Sequence, residues 1–122
     1  MPIRAFDGAA MNIDDVAGRL EALGNPTRLR IYRTLVRAGD AGLPVGRLQG
    51  EVGIAASTLS HHLHRLVLVG LVTQERRSTT LICRADYPML SSVIAALVEE
   101  CCAGLPDGER DDRRAALWSG CR

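Results

Sequence analysis

The spacing of apolar residues changes twice between Pro44 and Arg84, and that change restricts the fold more than any other feature of the chain. Pro44–Val52 reads as a short helix and Gly53-Ile54-Ala55 as a tight turn. Ala56–Val69 reads as a longer helix in which Leu59, Leu63, Leu66 and Val69 recur at helical spacing before Gly70 stops it. The period then drops to two: Leu71-Val72-Thr73-Gln74-Glu75 alternates as a strand, Arg76-Arg77-Ser78-Thr79 is a polar turn, and Thr80–Arg84 returns. Two helices joined by a short turn of small residues make a helix-turn-helix, and a hairpin directly after the second helix is a wing. The expected fold class is therefore mainly α with a small β-hairpin wing.

Helices are expected on both sides of this unit. Asn12 as cap, Asp14 and Asp15 in an electropositive first turn, and Val16, Leu20 and Leu23 on one stripe predict a helix over Ile13–Leu23, ended by Gly24. Asn25-Pro26-Thr27 opens a second helix that buries Leu29, Ile31, Tyr32, Leu35 and Val36, while Arg28, Arg30, Arg33 and Arg37 fall mostly outside that stripe. Asp86 caps a last helix from Tyr87 to Cys102, striped by Leu90, Ile94, Leu97 and Cys101 and stopped by Gly104 and Pro106. Residues 1–12 show no period and are expected as a flexible arm. Residues 13–104 form the winged helix-turn-helix domain, and residues 105–122 are expected as an acidic, charged, disordered tail.

Composition narrows the partner. At 122 residues and 47% hydrophobic side chains there is material for one core and no second domain. All 15 basic side chains are arginine, whose planar fork suits phosphates and base edges. From Arg28 to Arg84 nine arginines stand against three acids, Asp40, Glu51 and Glu75, a net of +6, whereas Glu99–Asp112 holds six acids and one arginine. A basic middle and an acidic end suit a nucleic-acid-binding core whose tail stays off the phosphates. Aromatics at 3% argue against single-strand binding on stacked rings. The apolar runs Leu66–Val69 and Val93–Val98 are too short to span a membrane. The N-terminal stretch, with Asp7, Asp14 and Asp15, lacks the apolar centre of a signal peptide, so the expected location is cytoplasmic.

Ser57, Thr58, Ser60, His61, His64 and Arg65 lie at the start and outer face of the longer helix, where contacts to double-stranded DNA are made. Arg76 and Arg77 at the wing tip suit phosphates or a minor groove. A merely solvated face is the alternative, and His61 and His64, one turn apart, also admit metal ligation. Four cysteines, Cys83, Cys101, Cys102 and Cys121, are expected as reduced thiols rather than a disulfide framework. Catalysis by them is not expected. A phosphate-loop Cys-x5-Arg is absent, since the sixth residue after Cys83, Cys101 and Cys102 is Met89, Asp107 and Gly108, and no Cys-x-x-Cys occurs.

Two segments carry a resemblance. Leu23-Gly24-Asn25-Pro26-Thr27-Arg28-Leu29-Arg30-Ile31, and Ser60-His61-His62-Leu63-His64-Arg65-Leu66 with Gly70-Leu71-Val72 after it, are similar to motifs of the ArsR family of metal- and metalloid-responsive winged-helix repressors over about residues 13–103. The resemblance implies a homodimer joined through the first and last helices and bound to operator DNA, with His62 packed beneath the recognition helix. Two of the family's metal sites have no ligands here. Pro44 and Gly46 occupy the Cys-x-Cys positions of one, and for the other Pro88 follows Asp86 and no histidine follows His64.

What remains is Glu100-Cys101-Cys102-Ala103-Gly104, which resembles the vicinal thiol pair of arsenic-responsive members. Those members place a third cysteine a few residues on, where this chain has Asp107-Gly108-Glu109. No constitutive cofactor is implied; the expected inducer is trivalent arsenic on Cys101 and Cys102, soft thiolates being its preferred ligands. Inorganic arsenite can form three As–S bonds and methylarsenite only two. A third thiolate would have to come from Cys121, far down the tail, or from Cys83 in the wing, and ordering the tail costs about 1–2 kcal/mol per fixed residue. Methylarsenite is therefore favoured over inorganic arsenite as the expected inducer. A thiol-redox or sulfide-sensing repressor, with Cys101 or Cys102 converted to a disulfide or persulfide, is the alternative on the same fold.

Overall fold

The computed structural model describes residues 11–99, 103, 104 and 106. The order of elements is α1 (Ile13–Leu23), α2 (Pro26–Ala38), a 3-10 turn (Gly39–Ala41), β1 (Leu43–Pro44), α3 (Val45–Val52), α4 (Ala56–Leu68), β2 (Val72–Arg77), β3 (Thr80–Ala85) and α5 (Tyr87–Val98). The winged helix-turn-helix expected from the periodicity is present, with α3 and α4 as its helices and β2–β3 as the wing.

Local chemistry accounts for the helix starts. Asn12 closes a capping box on α1, its side chain accepting from the Asp15 N–H while the Asp15 carboxylate takes the Asn12 N–H. Asn25 caps α2 by accepting from the Arg28 N–H at 3.0 Å, with Pro26 in the first turn where its missing donor costs nothing. Asp86 caps α5 through the Met89 N–H. Between α3 and α4 the chain turns through Gly53 in the left-handed region, and the Gln49 side chain donates to the Ile54 carbonyl at 3.2 Å to hold the turn.

One core gathers Ala22 of α1, Ile31, Tyr32 and Leu35 of α2, Leu48 of α3, Leu59, Leu63 and Leu66 of α4, and Leu71, Val72, Cys83 and Ala85 of the hairpin. The sheet has the order β1-β3-β2, both pairs antiparallel. β1 was not expected from periodicity, and two residues are too few to show any. Leu43 pairs with Cys83 and Pro44 with Ile82, so β1 ties the start of α3 to the wing.

Beyond shifts of a single residue in α3, α4, β2 and β3, two boundaries differ from the sequence reading. Arg76 and Arg77 belong to β2 rather than to the turn, which is reduced to Ser78-Thr79 with Ser78 at φ 59°. α5 ends at Val98, short of Cys102, and Glu100–Cys102 lie outside the described residues, as do residues 1–10 and 107–122. α1 and α5 pack together and leave apolar side chains in solvent: Ile13 and Leu20 on α1, Ile94 and Leu97 on α5. No helix among the described residues is long and apolar enough to cross a membrane.

Candidate nucleic-acid interface

At about 100° per residue, α4 divides into three stripes. Leu59, Leu63 and Leu66 form the inner one and are buried. Ser57, Ser60, His61 and His64 form the outer one and are exposed, as expected of a reading face. A third stripe, begun by exposed Thr58 and continued by His62 and Arg65, turns toward α1 and the start of α2, and the C-cap Val69 follows it. No side-chain cap occupies the N-terminus of α4, because Ala55 stands at the cap position. Its first N–H groups thus have no side-chain acceptor at the cap, an end at which a helix can take an anion.

The α1-facing stripe rests on Arg28. This side chain is only 9% exposed. Its Nε donates to the Ala22 carbonyl at 2.6 Å, and its Nη1 lies 3.2 Å from Nδ1 of His62. A cationic donor requires that Nδ1 be the acceptor, so the ring is neutral. Burial, then the Arg28 charge, then His61 hold the His62 pKa below the ordinary imidazole value. His62 is therefore half-buried against Arg28 on the flank of α4, a packed position of the kind the resemblance implies. Arg28, expected mostly outside the buried stripe of α2, is buried. Its three- and seven-residue spacing to Ile31 and Leu35 puts it on their side of the helix, a signal present in the sequence and overridden by its charge.

The neutral ring has a consequence for pH. An unfolded chain takes up the His62 proton at about the ordinary pKa and the folded chain only at a lower pH. The stabilisation is thus complete above the unfolded value and is lost as pH falls through the folded one. Thermal midpoints should fall further between pH 7.5 and 5.5 in the unmodified protein than in His62→Gln. Parallel curves would show that Arg28 tolerates a protonated ring.

The two wing arginines face opposite ways. Cross-strand partners share a face, so Arg76 lies with Leu81, Gln74 and Cys83 on the side of α4, while Arg77 lies with Thr80, Glu75 and Ile82 on the other. Glu75 accepts from Arg84 at 2.7 Å and from Arg77 at 3.3 Å, and these bonds hold its carboxyl below the usual carboxylate range. Arg77 is thus partly neutralised, whereas Arg76 is exposed beside the reading face. Arg65, expected to touch DNA, turns its guanidinium to Glu21 of α1. Between α3, α4 and the wing opens a pocket of about 260 Å³ walled by Val45, Gln49, Leu59, Ser60, His64 and Gln74.

Of the thiols, Cys83 is described and fully buried in β3; burial raises its pKa, although the Gln74 Nε2 donor at 3.5 Å from Sγ opposes this. A protonated thiol in the core is a packing residue. Cys101, Cys102 and Cys121 lie outside the described residues. Among the described residues no three His, Cys, Asp or Glu side chains gather as a metal site, and His61 and His64 find no further ligand of those types.

A helix-turn-helix domain family matches residues 23–75, from the end of α1 through most of β2. The nodulation protein NolR of Rhizobium meliloti is 36% identical over 81 residues, 66% of this chain and 64% of that protein. ArsR2 of Halobacterium salinarum, named for repression of an arsenical resistance operon, is 38% identical over 60 residues, 49% of this chain and 50% of that one. The chain thus spans between half and two thirds of the length of these two relatives. The biofilm growth-associated repressor of Xylella fastidiosa is 31% identical over 90 residues, 74% of this chain and 76% of that repressor. Among solved structures, the homodimeric winged helix-turn-helix DNA-binding domain of Mb0332 from Mycobacterium bovis matches with a TM-score of 0.57 and 26% identity, over 75% of this chain and 91% of that one.

Proposed function

The chain belongs to the ArsR family of winged helix-turn-helix transcriptional regulators, and from that premise we propose that it is a homodimeric repressor that holds a pseudo-palindromic operator and leaves it when a trivalent arsenical binds Cys101 and Cys102. The observation that carries DNA binding is the exposed stripe Ser57, Ser60, His61 and His64 on a helix whose opposite stripe is locked in the core, with Arg76 beside it on the wing. Polar side chains on a rigid helix read base edges, and the wing cation holds the adjacent backbone.

Dimerisation is supported by Ile13, Leu20, Ile94 and Leu97, which α1 and α5 leave in solvent on elements packed against each other. A two-fold axis through such a face would cover it with its own copy and place two reading helices on successive half-sites.

The arsenical reading is supported by the vicinal pair Cys101-Cys102, which follows α5 by three residues, and by the likeness to ArsR2. Methylarsenite would form two As–S bonds as two As–O bonds break and two waters leave, completing its valence on the pair. Burial of Cys83 weighs against a third thiolate from the wing, which favours the methylated ligand over inorganic arsenite. Ligation at the end of an interface helix would tilt one reading head against the other, and a coupling of about 1–3 kcal/mol suffices for release.

A duplex selected by the protein from a random-sequence pool tests the DNA half. Arg76→Ala should weaken binding and flatten the salt slope by about one unit, as loss of one phosphate contact does. Arg77→Ala and Arg65→Ala should flatten it less, their charges being tied to Glu75 and Glu21. Equal slopes in all three variants and the unmodified protein would reduce the basic face to ordinary solvated surface. A complex that methylarsenite leaves untouched would remove the arsenical half.

A further inference from the structure

The core stripe of α4 and its α1-facing stripe hold the helix in different ways. Leu59, Leu63 and Leu66 make apolar contacts, which carry no hydrogen-bond alignment of their own. His62, Arg65 and Val69, spaced three and four apart, are held by directional bonds to three arginine-centred links. Arg28 spans from the Ala22 carbonyl, at 2.6 Å, to His62 Nδ1, at 3.2 Å. Arg65 pairs with Glu21. Arg19 Nε donates to the Val69 carbonyl at 2.8 Å, at the C-cap of α4. Every anchor on the other side, Arg19, Glu21 and Ala22, lies in the C-terminal half of α1, beside the exposed Leu20.

We propose that Arg28 is a positioning residue for DNA reading: its guanidinium, fixed between the end of α1 and His62, sets the roll of the recognition helix, with Arg65–Glu21 and Arg19–Val69 as the outer points of the same clamp. The proposal rests on the DNA-binding reading of α4. A small roll swings Ser57, Ser60, His61 and His64 sideways across the groove, and hydrogen-bonded readout is lost within about 0.5 Å or 10–20° of misplacement. Phosphate attraction tolerates such a shift, because it depends on charge and distance rather than alignment. The clamp thus acts on discrimination between sequences and leaves sequence-independent affinity alone. Lysine cannot replace Arg28 there, since a single ammonium on a flexible stem lacks the planar fork that reaches two acceptors on different helices. Because α1 also carries part of the exposed apolar face assigned to the dimer, the same links fix the reading helix relative to that face.

The test uses the full chain with Arg28→Lys and with Glu21→Gln, the second breaking only an exposed ion pair and so leaving the fold intact. Affinity is measured for a duplex selected from a random pool by the unmodified protein and for a scrambled duplex, and amide hydrogen exchange is followed in parallel. Arg28→Lys should lower affinity for the selected duplex about tenfold or more, and Glu21→Gln by about threefold, with scrambled-duplex affinity lowered by no more than about twofold in either variant. Exchange should quicken in α4 and stay unchanged in β3. Variants that keep full discrimination, with unchanged α4 exchange, overturn the proposal, as does a uniform loss on both duplexes. If the unmodified protein fails to discriminate between duplexes, the DNA-binding reading fails and with it the role of Arg28 in reading, whatever the exchange shows.

Discussion

Cys101→Ser and Cys102→Ser should each bind the selected duplex as the unmodified protein does and lose its release by methylarsenite altogether. A dithiolate is a cooperative ligand: with one sulfur gone, the effective concentration that the second supplies disappears, and a single As–S bond exchanges freely with water and other thiols. The expected change is from a roughly 5–150-fold drop in DNA affinity on adding ligand to none. Titrations with inorganic arsenite, methylarsenite, zinc, cadmium and peroxide check it. A variant that loses DNA affinity yet still responds to the arsenical would remove these residues as the sensor, and release by peroxide alone would establish the thiol-redox alternative. Deleting residues 107–122 should leave the methylarsenite response intact. A truncated protein blind to every arsenical would make Cys121 an essential third ligand and favour inorganic arsenite.

Gly42→Ala should be the most damaging single-methyl addition in the fold. Gly42 sits at φ +69°, and a Cβ there would stand 2.4 Å from the Cys83 carbonyl oxygen and 2.6 Å from Cγ of Arg84. The first obstacle is backbone of β3, the strand paired to both β1 and β2, so it cannot give without moving the sheet. The conformation alone costs about 1–3 kcal/mol for a residue with a side chain, and the collision adds to it. Each kcal/mol lowers the midpoint of a domain this size by roughly 4–8 °C, out of a total stability of about 5–15 kcal/mol. Gly50→Ala is the control. It lies inside α3 with nothing within 4 Å of the added carbon and should stabilise by about 0.5–1 kcal/mol. Equal midpoints for Gly42→Ala and the unmodified protein would mean that β1 does not lie against β3 as described.

Periodicity made the helix-turn-helix and the wing legible because both bury one face, and a buried face imposes its spacing on the residues that build it. The outer stripe of α4 was legible for the converse reason: Ser57, Ser60, His61 and His64 lie between leucines committed to the core. Where two readings shared one residue type, spacing alone did not choose. Cys83 could have been a ligand or a core residue until its strand was seen between β1 and β2, fully covered. Arg76 and Arg77 were equivalent as neighbours in sequence. Register separated them, sending one toward α4 and the other to Glu75.

The amino-acid sequence by itself determined the order of helices and hairpin, the caps of the first, second and last helices, the polar outer stripe of α4 and the vicinal thiols, since each of these depends on residues a few positions apart. The tertiary structure alone decided which arginines are tied up within the fold. Arg28 meets Ala22 and His62, Arg65 meets Glu21, and Arg19 meets Val69 across separations of up to fifty positions. An arginine's partner is set by which helix passes beside it, and no local pattern records that.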